Sequence, residues 1–240
     1  MGFKKNFKRY ELKYLITFDQ KEKLLNMMKK YMQEDKFGKS TICNIYFDTD
    51  DYLLIRRSLE KPCYKEKLRV RSYGIAKNDT PVFIEIKKKF KGVVYKRRID
   101  MEKSKARSYL LEGMKLEKNS QISNEIDYFI DFYKGIKPST FISYDREAFF
   151  SKTDGDFRMT FDQNILARDY DLSLDAGIYG ESILKKGMAL LEVKTALGIP
   201  RWLLDFFCEN KIYKSSFSKY GNTYKQMILP KIIGGTEYVS

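Results

Sequence analysis

Lysine and arginine recur at alternate positions through a series of short stretches, with an acid among them in most. In K-L-R-V-R-S-Y, Lys67, Arg69 and Arg71 alternate with Leu68 and Val70. Glu85 and Lys87 alternate with Val82, Ile84 and Ile86, and Glu192 and Lys194 with Leu191 and Val193. Arg158, Thr160 and Asp162 oppose Phe157, Met159 and Phe161. Arg9, Glu11 and Lys13 share a parity, as do Lys96 and Arg98, and Arg146 follows in the stretch after Pro138. Side chains alternate between the two faces of a strand, so each stretch reads as a strand with one apolar face and one cationic face. A solvated face usually mixes Ser, Thr, Gln, Lys and Glu. Here the polar positions are mostly Arg and Lys, and they outnumber Glu11, Glu85, Asp162 and Glu192.

Cations gathered on one enclosed face are costly unless an anion compensates them. A linear phosphate chain is slim and densely charged. Arg meets it with a bidentate fork and Lys with a point charge. An acid on the same face would repel phosphate unless a hard cation sat between them. Mg²⁺ or Mn²⁺, held by one or two carboxylates plus phosphate oxygens, is the usual arrangement. Glu192 is the first metal candidate, with Glu11 and Glu85 as further ones. The competing reading of each acid is a salt bridge to a neighbouring cation.

Composition narrows the partner. Lys plus Arg number 46 against 32 acids, a formal net charge of +14. That excess calls for a polyanion. The sequence contains no histidine, which excludes His general bases, His metal sites and phosphohistidine intermediates. Cys43, Cys63 and Cys208 form no C-x-x-C pair, so reduced thiols and a cytoplasmic setting are expected. No apolar run reaches the ~20 residues of a membrane span. Gly38-Lys39-Ser40 imitates the end of a phosphate-binding loop, but the motif needs Gly where Gln33 stands, and the fragment follows a helix; it reads as a turn.

The elements that must position these residues are strands at 7–17, 41–48, 64–73, 81–90, 92–100, 139–150, 156–166 and 188–195. Lys91-Gly92 suggests a tight hairpin. Helical patterns fill 19–34, 103–114, 121–135, 200–208 and 219–229. With no linker and no internal repeat, residues 1–240 read as a single α+β domain. The expected architecture is an antiparallel eight-stranded β-barrel, charged face inward, with helices packed around the outside.

R-Y-E-L-K-Y (9–14), N-I-Y-F-D-T (44–49), K-L-R-V-R-S-Y-G (67–74), F-I-E-I-K-K-K (83–89), V-Y-K-R-R (94–98), I-S-Y-D-R-E-A-F (142–149), R-M-T-F-D (158–162), L-L-E-V-K-T (190–195) and F-S-K-Y (217–220) occur in this order. Together they resemble the VTC polyphosphate polymerase domain, one of the CYTH-like triphosphate tunnel metalloenzymes. The resemblance implies an eight-stranded tunnel in which Lys13, Arg69, Arg71, Lys87, Lys96, Arg146, Arg158 and Lys219 hold phosphate and Glu192 coordinates metal. Arg9, Arg98 and Lys194 join the phosphate-binding set from the strand faces. Lys87, Arg146 and Lys219 are the expected catalytic cations.

The implied reaction transfers the γ-phosphoryl group of ATP to a growing polyphosphate chain with Mn²⁺ or Mg²⁺. Its nucleophile is a phosphate oxygen, already anionic near neutral pH, so no histidine is required. The first strand reads R-x-E-x-K where CYTH triphosphatases have E-x-E-x-K, and Arg9 replaces a metal-binding acid with a cation. Two alternatives remain at this stage. One is a tripolyphosphate or nucleoside triphosphatase, with Glu11 or Glu85 as the acceptor of a water proton. The other is a non-catalytic polyphosphate sensor or carrier. Nucleic acid is disfavoured by the lack of exposed stacking aromatics among the strand cations.

Overall fold

The computed structural model describes residues 10–91, 93–116 and 120–234. The chain forms two compact units. The first takes the residues up to Thr41, Tyr144–Ile165 and Leu184–Ser218. The second takes Ile42–Ser143, Leu166–Ile183 and the residues from Lys219 on. Three long strands, β2 (Met32–Asp48), β6 (Lys137–Ser151) and β7 (Arg158–Arg168), contribute a stretch to each unit.

In the first unit, β1 (Tyr10–Thr17) pairs antiparallel with β9 (Met188–Thr195) and with the two-residue β10 (Lys214–Ser215). β9 pairs in turn with β7. The apolar sides of these strands, through Tyr14, Ile16, Met159, Phe161, Leu191 and Val193, form a core with two helices. α1 (Phe18–Met28) supplies Leu24 and Met28, and α5 (Arg201–Glu209) supplies Leu203, Phe206 and Phe207. Each such side chain removed from water contributes about 1.5–3 kcal/mol. α1 starts at a capping box, in which the Thr17 hydroxyl accepts from the Gln20 amide and the Gln20 side chain accepts from the Thr17 amide.

In the second unit, β2 pairs with β3 (Tyr64–Tyr73), β3 with β4 (Pro81–Phe90) and β4 with β5 (Val93–Glu102), all antiparallel. The two-residue β8 (Glu181–Ser182) pairs with the end of β7. The apolar face is Ile45, Phe47, Leu68, Val70, Val82, Ile84 and Ile86. It lies under α3 (Lys103–Leu111) and α4 (Gln121–Phe132), through Ala106, Tyr109, Leu110, Ile126 and Phe129. Alternation therefore separates core from charge in each unit.

Among the described residues eight strands are long and two have two residues each, which agrees with the expected antiparallel α+β architecture. Among the described residues the strand order of the first unit ends on β10 and that of the second on β5. No helix among these residues is long and apolar enough to cross a membrane.

Four local readings change. The helix expected over 19–34 stops at Met28, because Tyr31 stacks on Trp202 at 4.6 Å and Met32 enters the core as the start of β2. Gly38-Lys39-Ser40 lies inside β2, where Gly38 takes a φ of +55°, rather than in a turn. The sequence reading missed α2 (Leu53–Leu59), whose second and third amides, Leu54 and Ile55, donate to the buried Asp48 carboxylate at 2.8 and 3.0 Å. The last helix divides into α6 (Lys219–Thr223), a π-helical turn and α7 (Leu229–Gly234). In the β4–β5 connection, Lys91 adopts a φ of 46°, while Gly92 lies outside the described residues.

Candidate functional site

In the second unit the polar faces of β3, β4 and β5 form a ladder. Lys65 lies opposite Lys89, and the next row is Lys67, Lys87 and Lys96. Arg69, Glu85 and Arg98 follow, and the last row is Arg71, Phe83 and Asp100. Same-face rows are about 7 Å apart. β2 adds Tyr46 opposite Arg69 and Asn44 opposite Arg71.

Glu85 is the buried centre of this face, 1% exposed. Arg69 Nε and Nη2 lie 2.8 and 2.7 Å from its Oε2, and Lys96 Nζ lies 2.5 Å from its Oε1. Arg71 Nη1 is 3.9 Å away. Burial raises the Glu85 pKa, but Arg69, Arg71 and Lys96 outweigh it and hold the carboxyl at about 2. Desolvation pulls Lys96 down to about 8, against the opposing pull of Glu85. The arginines are held in place from β2: Arg69 donates to the Tyr46 hydroxyl at 3.0 Å, and Arg71 to Asn44 Oδ1 at 2.9 Å.

The F-S-K-Y segment ties into the same face. Tyr220 stacks on Tyr46 at 4.8 Å and donates to Asp48 at 2.8 Å, the carboxylate that caps α2. Its ring lies 5.7 Å from the Lys67 ammonium. This anchor fixes the start of α6, where Lys219 is buried.

The first unit has a more balanced cluster. Glu11, Lys194 and Arg158 form one row; Lys13, Glu192 and Thr160 form the next. Lys13 Nζ lies 3.6 Å from Glu11 and 3.5 Å from Glu192, and donates to the Phe217 carbonyl at 3.1 Å. Arg146 grips Asp162 through two hydrogen bonds of 2.6 and 2.7 Å and reaches Glu192 Oε2 at 3.4 Å. Arg158 is exposed and meets Asp35 at 3.2 Å.

These residues bear on a metal. No three His, Cys, Asp or Glu side chains converge among the described residues, so the protein alone offers no metal cage. The first-unit cluster fits a cation shared with a phosphate ligand. Glu11 and Glu192 flank one ammonium, and Thr160 Oγ1, in the row of Glu192, is buried without a hydrogen-bond partner. Glu85 fits poorly, because cations already enclose it.

The expected site residues thus fall into two sets. Arg69, Arg71, Lys87, Lys96, Arg98, Glu85 and Lys219 belong to the second unit, and Lys13, Arg146, Arg158, Lys194, Glu11 and Glu192 to the first. Arg9 lies outside the described residues. The sequence reading passed over Lys65 and Lys89 as site residues, although their parity with Lys67 and Lys87 was available. It also passed over Asn44 and Tyr46, whose support of the arginines depends on pairing register.

Residues 8–228 match the model of the VTC domain family. No curated protein is matched by the sequence. Two of the similar solved structures illustrate the likeness. An adenylate cyclase candidate of Bacillus halodurans is 14% identical over 92% of this chain and 99% of its own, with a TM-score of 0.54. An adenylyl cyclase candidate of Hippeastrum, described as having a dominant triphosphatase activity, is 18% identical over 92% and 97%, with a TM-score of 0.53. At these identities the likeness is one of fold.

Proposed function

We propose, for a chain that belongs to the VTC domain family, the activity of a polyphosphate polymerase: transfer of the γ-phosphoryl group of ATP to a growing polyphosphate chain, assisted by Mn²⁺ or Mg²⁺. The observation that carries this reading is the row of Lys67, Lys87 and Lys96. Three ammonium-bearing side chains stand directly opposite one another on adjacent strands. Like charges so placed repel, and a polyanion across the row turns the repulsion into binding.

The residues divide the work by chemistry. Arg69 and Arg71, fixed by Glu85, Tyr46 and Asn44, present guanidinium groups in set orientations. Such preorganised donors stabilise charge without reorganising during the reaction. Lys87, Arg146 and Lys219 are assigned the neutralisation of phosphoryl oxygens, and Lys13, Lys96, Arg98, Arg158 and Lys194 the holding of the chain; Arg9 remains a proposed member of this group. Glu192, with Glu11 and Thr160 beside it, would hold the divalent ion. When bound, that ion supplies charge neutralisation at the transferring phosphoryl group.

Hydrolysis is the second reading, favoured by the triphosphatase activity of the Hippeastrum protein. It needs a carboxylate able to take a proton from water. Glu85, held at about 2, is too weak a base for that, and Glu11 is engaged with Lys13. Primer dependence separates the readings. With ATP and Mn²⁺, short polyphosphate added as primer should raise the initial rate of ADP release. A hydrolase would be slowed by the same primer as a competitor. Tight polyphosphate binding with no ADP release under any divalent metal would leave a carrier.

A further inference from the structure

The ladder of the second unit changes character along its length. Lysine fills the rows of Lys65 with Lys89 and of Lys67, Lys87 and Lys96. The last row replaces two of its cations with Phe83 and Asp100, and beyond Arg71 on the same face of β3 stands Tyr73. Tyr73 is 55% exposed although it sits within a strand, which corrects the expectation that the strand cations lack exposed stacking aromatics. Its ring meets the edge of Phe83 at 5.8 Å, and the Arg98 guanidinium lies over Phe83 at 4.8 Å. Neither aromatic belongs to the hydrophobic core, which occupies the opposite face through Val70, Val82 and Ile84.

We propose that Tyr73, Phe83, Arg98 and Asp100 dock the nucleoside of the phosphoryl donor, with its phosphates running along the ladder toward the lysine rows. This rests on the polymerase reading and adds the orientation of the donor. The matching ligand is anionic along most of its length and flat and uncharged at one end, as a nucleoside triphosphate is. A base stacks on an aromatic ring and on a guanidinium plane whatever its sequence identity. Asp100 is acceptor-only when ionised. It repels phosphate from this end and accepts from the N–H groups of a base or the hydroxyls of a ribose. The same-face spacing of about 7 Å puts Arg71 and Arg69 in successive reach of the phosphates that follow.

The test compares ATP with inorganic tripolyphosphate, which has the charge but no nucleoside. Calorimetric titrations on the full chain would use wild type, Tyr73→Ala, Phe83→Ala and the pair, with Tyr73→Phe as the conservative variant. Loss of stacking should weaken ATP binding about tenfold or more in the pair, while tripolyphosphate binding stays within about twofold. Tyr73→Phe should keep wild-type affinity for both. Because Tyr73 is largely exposed, Tyr73→Ala reads the effect without a folding penalty. ATP affinity unchanged in the pair, or equal weakening of both ligands, would overturn the docking site and leave the polymerase reading standing. Wild-type protein that binds neither ligand would overturn both.

Discussion

Replacing Glu85 by Gln keeps the shape of the side chain and removes the one charge that Arg69, Arg71 and Lys96 share. The carboxyl is 1% exposed, and its pKa is held at about 2 against an ordinary 4.5. At about 1.36 kcal/mol per unit, that difference of about 2.5 units corresponds to roughly 3 kcal/mol of stability. Because its folded-state value is depressed, this contribution is complete above about pH 4.5 and is lost as pH falls toward about 2. Glu85→Gln should therefore lower unfolding free energy by about 2–3 kcal/mol at pH 7, with the gap closing between about pH 4.5 and 2. The lower bound reflects its cationic partners, which are partly exposed and solvated in the variant. The same change adds net positive charge to the ladder, so tripolyphosphate should bind more tightly and recover part of the loss. Urea unfolding at several pH values, with and without tripolyphosphate, measures both effects. Wild-type stability at pH 7, or weaker tripolyphosphate binding by the variant, would refute the assignment of Glu85 as the counter-ion of a phosphate-binding face.

Arg69→Ala should lose tripolyphosphate affinity by at least about tenfold and also destabilise the protein by about 3 kcal/mol, because it strips both guanidinium contacts from one oxygen of a buried carboxylate; adding Glu85→Gln should restore much of the stability, and calorimetry should still find weak binding. Lys96, pulled down to about 8, is charged below that pH, so tripolyphosphate affinity should fall as pH rises through about 8 to 9, and Lys96→Arg should flatten the profile. Glu192→Gln should cut Mn²⁺- or Mg²⁺-dependent turnover by about a hundredfold or more while leaving metal-free tripolyphosphate binding within a fewfold, read by steady-state kinetics beside calorimetry.

Strand parity made the cationic faces legible in the sequence. Alternation alone put Lys67, Arg69 and Arg71 on one side and Leu68 and Val70 on the other, and the helices cover that apolar side. Register was not legible. The sequence lists Glu85 and Arg69 on separate strands, and only the pairing of β3 with β4 puts one opposite the other. Parity alone leaves Arg69 and Arg71 as cations awaiting an anionic ligand. They instead neutralise a buried acid. Glu192 was expected as a metal ligand, with a salt bridge to a neighbouring cation as the competing reading, and register sets Lys13 and Arg146 near it. α2 escaped notice although Thr49, whose hydroxyl accepts from the Leu53 amide, stands just before it, because seven residues are too few to show a helical period.

The γ-phosphoryl group of ATP passes either to a polyphosphate chain end or to water. Phosphorus NMR of the purified protein with ATP, Mg²⁺ and a short polyphosphate primer follows donor, acceptor and water products in one sample. Polymerase activity predicts ADP appearing in step with a growing resonance of chain-internal phosphate, and little orthophosphate. Orthophosphate rising in step with ADP, with no internal-phosphate signal, would contradict it.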